Sequence, residues 1–240
     1  EAIAYDVTHV RVFATAAATF PQDLKKDVQK YMPKAELFYT YGLTESSGGN
    51  ATVLPSSRMF EKEGSIGAVN PVLAYKIVDD AGKEVKAGDN GELILKGPSV
   101  ISGYYKRPDE TKETFKDGWL YTGDIVRSDE DGFLYFVDRR KDMIKTGGEN
   151  VFAKEVEDAI MTHPKVQEVA VFGLPDPKWG EKIFAAGVLK PGETYAAEAD
   201  KQAAAQVFRF AEGAVKAAPA RLELPLDGTW QAARYDDPDM

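Results

Sequence analysis

Residues 36–45 read Glu-Leu-Phe-Tyr-Thr-Tyr-Gly-Leu-Thr-Glu. The first six form an apolar and aromatic run of strand type, and the glycine that follows ends it. Upstream, Val7 to Thr15 is β-branched and apolar and predicts another buried strand. Between them, Pro21-Gln-Asp-Leu-Lys-Lys-Asp-Val-Gln-Lys-Tyr-Met has Pro near a helix start, with Leu24, Val28 and Tyr31 on one helical face. Strand, helix, strand and a polar loop make a βαβ-like pattern. Ligands in such sheets sit beyond the carboxyl ends of strands, which is where Tyr41-Gly-Leu-Thr-Glu45 falls.

From about residue 64 the pattern changes. Short alternating segments (Ala74 to Val78, Glu92 to Lys96, Trp119 to Arg127, Phe133 to Val137) are separated by Asp80-Ala-Gly, Gly88-Asp-Asn-Gly and Asp131-Gly. They predict an antiparallel sheet or small barrel, with Pro108-Asp-Glu-Thr-Lys-Glu-Thr-Phe as a short capped helix in its midst. After Arg139 a helix at Ala153–Met161 and strands at Val166 to Gly173 and Ile183 to Lys190 predict a small α+β module. Glu198 to Lys216 is Ala-rich and reads as helical, and beyond it Pro219, Pro225 and Pro238 interrupt a stretch of little periodicity.

Composition narrows the function classes. The 240 residues carry a formal net charge of −9, which argues against nucleic acid or anionic membrane as the main partner. No apolar run approaches the roughly 20 residues of a transmembrane helix. The first residues lack the basic region and apolar core of a secretory signal, and without an initiator Met they read as a cut into a longer protein. The absence of cysteine removes disulfides and thiolate chemistry and fits a reducing, cytoplasmic interior. His9 and His163 have no second ligand at metal spacing, so zinc is not expected. His163, before Pro164, reads as part of a helix end.

The residues at the strand ends carry chemistry that suits a nucleotide. Tyr41 can stack on a purine, and Gly42 lets backbone approach a ligand. Thr44 can bond a phosphate oxygen, and Glu45 is a hard-oxygen ligand for Mg²⁺, which takes one or two carboxylates plus phosphate oxygens. Asp124, in Tyr121-Thr-Gly-Asp, can accept two hydrogen bonds from the vicinal diol of ribose. Arg139 can donate to the same ribose or to a phosphate. Each piece alone has a plainer alternative: a capped strand end for the pentapeptide, a turn for Thr-Gly-Asp, a surface arginine for Arg139.

Taken in order, the motifs resemble the adenylate-forming, AMP-binding enzymes, most closely the acyl-CoA synthetases. The resemblance runs from Tyr41 to about Gly192. It rests on Tyr41-Gly-Leu-Thr-Glu, Gly91-Glu-Leu-Ile-Leu-Lys-Gly, Ser102-Gly-Tyr-Tyr, Asp117-Gly-Trp-Leu-Tyr-Thr-Gly-Asp, Asp138-Arg-Arg-Lys-Asp-Met-Ile-Lys and Gly147-Gly-Glu-Asn-Val. It implies an α/β plus α+β fold. Residues 1–140 would be the end of a large αβαβα-type N-terminal domain, with a βαβ part (1–63) and an antiparallel β-barrel-like subdomain (64–140). Residues 141–194 would be a partial small α+β C-terminal domain, and 195–240 a divergent tail. Ala16-Ala-Ala-Thr stands where relatives often carry a Gly-containing turn beside the adenine, which leaves contacts there in question.

The resemblance also assigns roles. Tyr41, Gly42, Thr44, Asp124 and Arg139 would bind nucleotide, Thr44, Glu45 and Lys145 would serve catalysis, and Glu45 would hold Mg²⁺. Lys141 would be the hinge on which the small domain turns between half-reactions. Gly147 and Gly148 would leave room for the pantetheine arm of coenzyme A, and Trp179 would pack against coenzyme A or, equally, cap the small domain's core. The implied partners are a small carboxylic acid, ATP and CoA, with oligomerisation left open and the acid unidentified. Two family features do not appear: the Ser/Thr/Gly-rich phosphate loop, and a late Gly-Lys, since the lysines after Lys190 are Lys201 and Lys216, neither preceded by Gly. The expectation is therefore an acid–CoA ligase fragment that adenylates poorly by itself. An adenylation domain that loads a carrier protein, and a non-catalytic nucleotide- or CoA-binding remnant, are the alternatives.

Overall fold

The computed structural model describes residues 5–17, 20–48 and 50–193, and the chain divides into two units, Glu1–Val137 and Asp138–Met240. Residue 140, the boundary expected from the sequence, lies just inside the second.

The first unit contains strands β1 (Val12–Ala16), β2 (Glu36–Tyr41), β3 (Thr52–Leu54), β4 (Ser65–Val69), β5 (Ala74–Val78), β6 (Gly91–Lys96), β7 (Phe115–Lys116), β8 (Trp119–Ser128) and most of β9 (Phe133–Arg139), whose last two residues fall in the second unit, with helices α1 (Gln22–Tyr31) and α2 (Pro108–Thr114). They form one continuous sheet in the order β1-β2-β3-β4-β9-β8-β6-β5, with β7 on β8. β1 and β2 run parallel, and the other pairings are antiparallel. The βαβ part and the β-rich part expected from sequence thus share a sheet, joined by β3 and β4. The path runs from edge to edge without closing, so there is no closed barrel among the described residues.

Gly67 makes that seam possible. It has φ +98, and a Cβ there would lie 2.2 Å from the backbone carbonyl carbon of Val53. The register shifts between Ser65 and Gly67. A glycine bulge lets β3 and β4 approach where a side chain could not.

Two clusters fill the first unit. Ile77, Leu93, Leu95, Leu120, Val126 and Leu134 pack with Ala51 and Ile66, while Phe20, Leu37, Leu54, Met59 and Phe133 pack beneath α1. Two expectations are corrected here. β1 is shorter than predicted and alternates exposed with half-buried residues, because it is an edge strand with a partner on one side only. On α1, Leu24 and Tyr31 are half exposed, and the core-facing side is Lys25, Val28 and Met32. Lys25 buries its aliphatic stem and donates from Nζ to the Met59 carbonyl at 3.2 Å, a snorkelling arrangement that periodicity of apolar residues does not reveal. Burial pulls its ammonium below the ordinary lysine range.

The second unit contains β10 (Ile144–Thr146), β11 (Glu149–Val151), α3 (Ala153–Met161), β12 (Val166–Asp176) and β13 (Gly180–Leu189), its sheet ordered β11-β10-β13-β12. Ala153 and Val156 of α3 pack with Ile144, Val151, Val171, Ile183 and Ala185. Asp138 is buried, and its carboxylate accepts the N–H groups of Arg139 at 2.7 Å and Lys154 at 3.3 Å. The second bond satisfies a donor in the first turn of α3. The Ala-rich helix expected at 198–216 lies outside the described residues.

Candidate active site

Asp124 sits on a bulge in β8. Glu92 pairs with Ile125 and Ile94 with Tyr121, so Leu93 alone on β6 faces Thr122, Gly123 and Asp124. The surplus residues leave the ladder, and their polar groups are satisfied locally. Thr122 Oγ1 donates to the Leu93 carbonyl at 2.7 Å, the Gly123 N–H to Glu92 Oε1 at 3.0 Å, and the Asp124 N–H to Thr122 Oγ1 at 3.1 Å. Gly123 takes φ +72, a left-handed conformation that glycine adopts without a Cβ penalty. Bulges of this kind re-aim a side chain. Here the side chain is the Asp124 carboxylate, 6% exposed, and Oδ2 accepts a hydrogen bond from the Tyr41 hydroxyl at the end of β2.

Glu45 lies in a single 3-10 turn, Thr44–Ser46, just past Tyr41 and Gly42. Three bonds tie this turn to the segment before α2. Ser47 Oγ donates to the Ser99 carbonyl at 2.6 Å, the Ile101 N–H to the Glu45 carbonyl at 2.9 Å, and the Tyr104 hydroxyl to Glu45 Oε1 at 2.6 Å. Thr44 is exposed and the Glu45 side chain half-buried. β1, on the same sheet, ends at Ala16, and the next residue, Ala17, takes φ +71.

The remaining candidates belong to the second unit. Arg139 ends β9 exposed, and Lys141 is exposed in the turn closed by the Asp142 N–H on the Arg139 carbonyl at 2.9 Å. Gly147 and Gly148 form the two-residue connection between β10 and β11, with Thr146 paired to Glu149. Their φ values of +59 and +87 fit the primed turn that matches strand twist in a hairpin. The Gly147 N–H donates to the Trp179 carbonyl at 2.8 Å, and a Cβ on Gly147 would lie 3.1 Å from the indole ring. Asp176 Oδ1 accepts the N–H groups of Trp179 and Lys178 at 2.9 and 2.8 Å, which hold its carboxyl below the usual range. The Lys145 side chain is exposed, and its N–H donates to Glu181 Oε2 at 2.5 Å.

The structure therefore joins Tyr41 to Asp124 directly, and Gly147 to Trp179. The residues that hold the candidates in place carry no role in the sequence reading: Glu92, Tyr104, Asp138 and Glu181. Glu92, Tyr104 and Asp138 do fall within quoted motifs, Gly91-Glu-Leu, Ser102-Gly-Tyr-Tyr and Asp138-Arg-Arg-Lys, but nothing local in those strings announces a carboxylate or phenol that acts on a distant segment.

The sequence matches two models of a known family. The model of the AMP-binding enzyme matches residues 1–105, and that of the AMP-binding enzyme C-terminal domain matches residues 155–226. The chain belongs to the AMP-binding enzyme family. The second match runs past residue 194 into the segment outside the described residues. The chain is 42% identical over 179 residues to a medium/long-chain-fatty-acid–CoA ligase of Mycobacterium tuberculosis, covering 75% of this chain and 31% of that one. It is also 42% identical over 171 residues to a 2-succinylbenzoate–CoA ligase of Bacillus cereus, covering 71% and 34%. Among solved structures, the o-succinylbenzoate coenzyme A synthetase of Bacillus subtilis in complex with ATP and magnesium ion matches with TM-score 0.68 and 33% identity, covering 80% of this chain and 39% of that one. The chain thus spans about a third of the length of the curated relatives it matches. No helix among the described residues is long and apolar enough to cross a membrane.

Proposed function

We propose that this chain carries the nucleotide-binding wall and part of the thioester-forming wall of an acid–CoA ligase. In that reaction a carboxylate attacks the α-phosphorus of ATP and pyrophosphate leaves. The CoA thiol then attacks the acyl carbon of acyl-AMP, and AMP leaves. The observation that carries the reading is the buried Asp124 carboxylate, aimed by a bulge and held by the Tyr41 hydroxyl. A fixed anionic acceptor at a strand bulge suits the paired hydroxyls of ribose.

Around it, the Tyr41 ring offers a face to adenine, Gly42 lets backbone approach, and Thr44 bonds a phosphate oxygen. Glu45 fits Mg²⁺ as one hard ligand beside phosphate oxygens; its half-buried carboxylate is tied at one oxygen. The ion would neutralise developing charge on the phosphates. In the second unit, Arg139 serves ribose or phosphate, Lys141 the hinge, and Lys145 the second half-reaction. Gly147, Gly148 and Trp179 line the path of the CoA arm. The ligase names of the relatives, and the bound ATP and magnesium of the Bacillus subtilis synthetase, support this reading.

A preorganised cation acting on a transition state typically contributes on the order of 10²–10³ in rate. With neither a phosphate loop nor a late Gly-Lys in its sequence, the chain alone should adenylate poorly. Calorimetry tests the central assignment: Asp124→Ala should weaken AMP binding at least about tenfold, the scale of one charge-assisted hydrogen bond. Equal affinity in the two proteins refutes the ribose assignment. ATP-dependent pyrophosphate release at roughly 1–100 s⁻¹ from the purified chain refutes the activity claim.

A further inference from the structure

Glu45 is held by a residue that no role yet covers. The Tyr104 hydroxyl donates to Glu45 Oε1 at 2.6 Å, within the short range of hydrogen bonds to ionised acceptors. The donor is itself fixed. Its ring packs edge-on against Phe115 with centroids 5.8 Å apart. Its N–H donates to Thr111 Oγ1 at 2.9 Å, and Thr111 Oγ1 donates in turn to the Arg107 carbonyl at 2.6 Å. Gly103, at φ +151, lets the backbone lie against the Thr111 methyl, which a Cβ would approach to 2.5 Å. Burial, then the bond to Glu45, pushes the Tyr104 phenol above its ordinary range despite a hydrogen bond with Thr114 that acts the other way.

We infer that Tyr104 is a positioning residue that presents Glu45 to a divalent cation as a single-oxygen ligand. The inference rests on the magnesium reading of Glu45 given above. A glutamate on a one-turn helix has several rotamers. Fixing Oε1 selects one of them and leaves Oε2 to meet a cation, without neutralising the charge as a lysine or arginine partner would. Outer partners of ligating carboxylates act in this way, and their loss typically weakens metal affinity about 10- to 100-fold. The bond of the Ile101 N–H to the Glu45 carbonyl fixes the backbone independently, so removing the phenol hydroxyl should loosen the carboxylate and spare the turn.

The test is calorimetry on the full 240-residue chain, with AMP in the absence of metal and with ATP across a Mg²⁺ titration. Tyr104→Phe keeps the ring against Phe115. It should raise the Mg²⁺ concentration for half-maximal ATP binding about 10- to 100-fold while metal-free AMP affinity stays within about twofold. In a Glu45→Gln background, Tyr104→Phe should add no further effect, since coupled residues are non-additive. An unchanged Mg²⁺ midpoint in Tyr104→Phe, or full additivity with Glu45→Gln, overturns the inference and leaves the nucleotide reading standing. Failure of the unsubstituted chain to bind AMP overturns the nucleotide reading, and this inference with it.

Discussion

Removing the Glu92 carboxylate should loosen Asp124 from a distance. Glu92 is 5% exposed on β6, and its Oε1 accepts the Gly123 N–H at 3.0 Å. A hydrogen bond to a charged group contributes about 1.5–3 kcal/mol. Gly123 is half-buried, so in Glu92→Ala water can reach part of the abandoned N–H, and the expected loss sits near the middle of that range, about 2 kcal/mol. With a urea slope of about 1–3 kcal/mol/M, the unfolding midpoint should fall by roughly 1 M. AMP affinity should fall at least about tenfold, because 1.4 kcal/mol of misplacement at Asp124 suffices for that. Glu92→Gln keeps a carbonyl acceptor at the same reach and should retain most of both quantities. Urea denaturation and calorimetry on the three proteins decide the matter. If Glu92→Ala is destabilised but binds AMP like the unsubstituted chain, the bulge does not aim Asp124. If Glu92→Gln is as damaging as Glu92→Ala, the bond to Gly123 is not what Glu92 provides.

Two glycines with positive φ should respond differently to the same substitution. At Gly67→Ala the new Cβ meets the Val53 backbone at 2.2 Å, so a loss of about 4 kcal/mol or more is expected. At Gly123→Ala nothing lies within 4 Å, and only the left-handed strain of about 1–2 kcal/mol applies; equal losses in denaturant melts would contradict the seam described for β3 and β4. Acid stability should depend on Lys62, whose Nζ donates to Asp129 at 2.8 Å and Asp131 at 2.6 Å. The Lys62 bond is the largest influence lowering the Asp131 carboxyl. At Asp129 burial acts upward, but the bonds from Lys62 and the Phe133 N–H prevail and lower it. Carboxyls depressed in the folded state stabilise fully above their unfolded value near 3.9, and that contribution is lost as pH falls through the folded value. Urea midpoints should thus hold from pH 7 to about 5 and drop below about 4, and Lys62→Met should flatten the drop; an unaltered acid limb in that variant refutes the assignment.

Segments with a strong repeat were legible. Ala74–Val78, Glu36–Tyr41 and Ala153–Met161 are found with the bounds their periodicity predicts. β3, β10 and β11 were not legible, since three residues cannot display an alternation, and β4 is broken by Gly67. On α1 the apolar pattern placed Val28 correctly but Leu24 and Tyr31 wrongly, because a lysine stem does the packing that a leucine was expected to do. At the site, the strings that hold Glu45 and Asp124 could be read as motifs, but their supports could not. Tyr41 reaches Asp124 across 83 residues, Tyr104 reaches Glu45 across 59, and Glu92 reaches Gly123 across 31. A hydrogen bond between segments that far apart has no period and no local composition to betray it.

Under the proposed function, the same bonds bear on how the two carboxylates would serve a nucleotide. Asp124 and Glu45 are each held by a tyrosine hydroxyl, Tyr41 in one case and Tyr104 in the other. A cationic partner would fix a carboxylate equally well, but it would cancel the charge that a diol or a divalent cation is meant to meet. A phenol fixes one oxygen through a neutral donor, and its rigid ring loses little freedom in doing so. Both tyrosines are anchored by apolar contact, Tyr41 against the core that contains Leu93 and Leu120, and Tyr104 against Phe115. Burial thus supplies the rigidity with which each phenol holds its carboxylate. Both pairs lie inside the first unit, so the proposed positions of Asp124 and Glu45 are ordered by contacts within that unit.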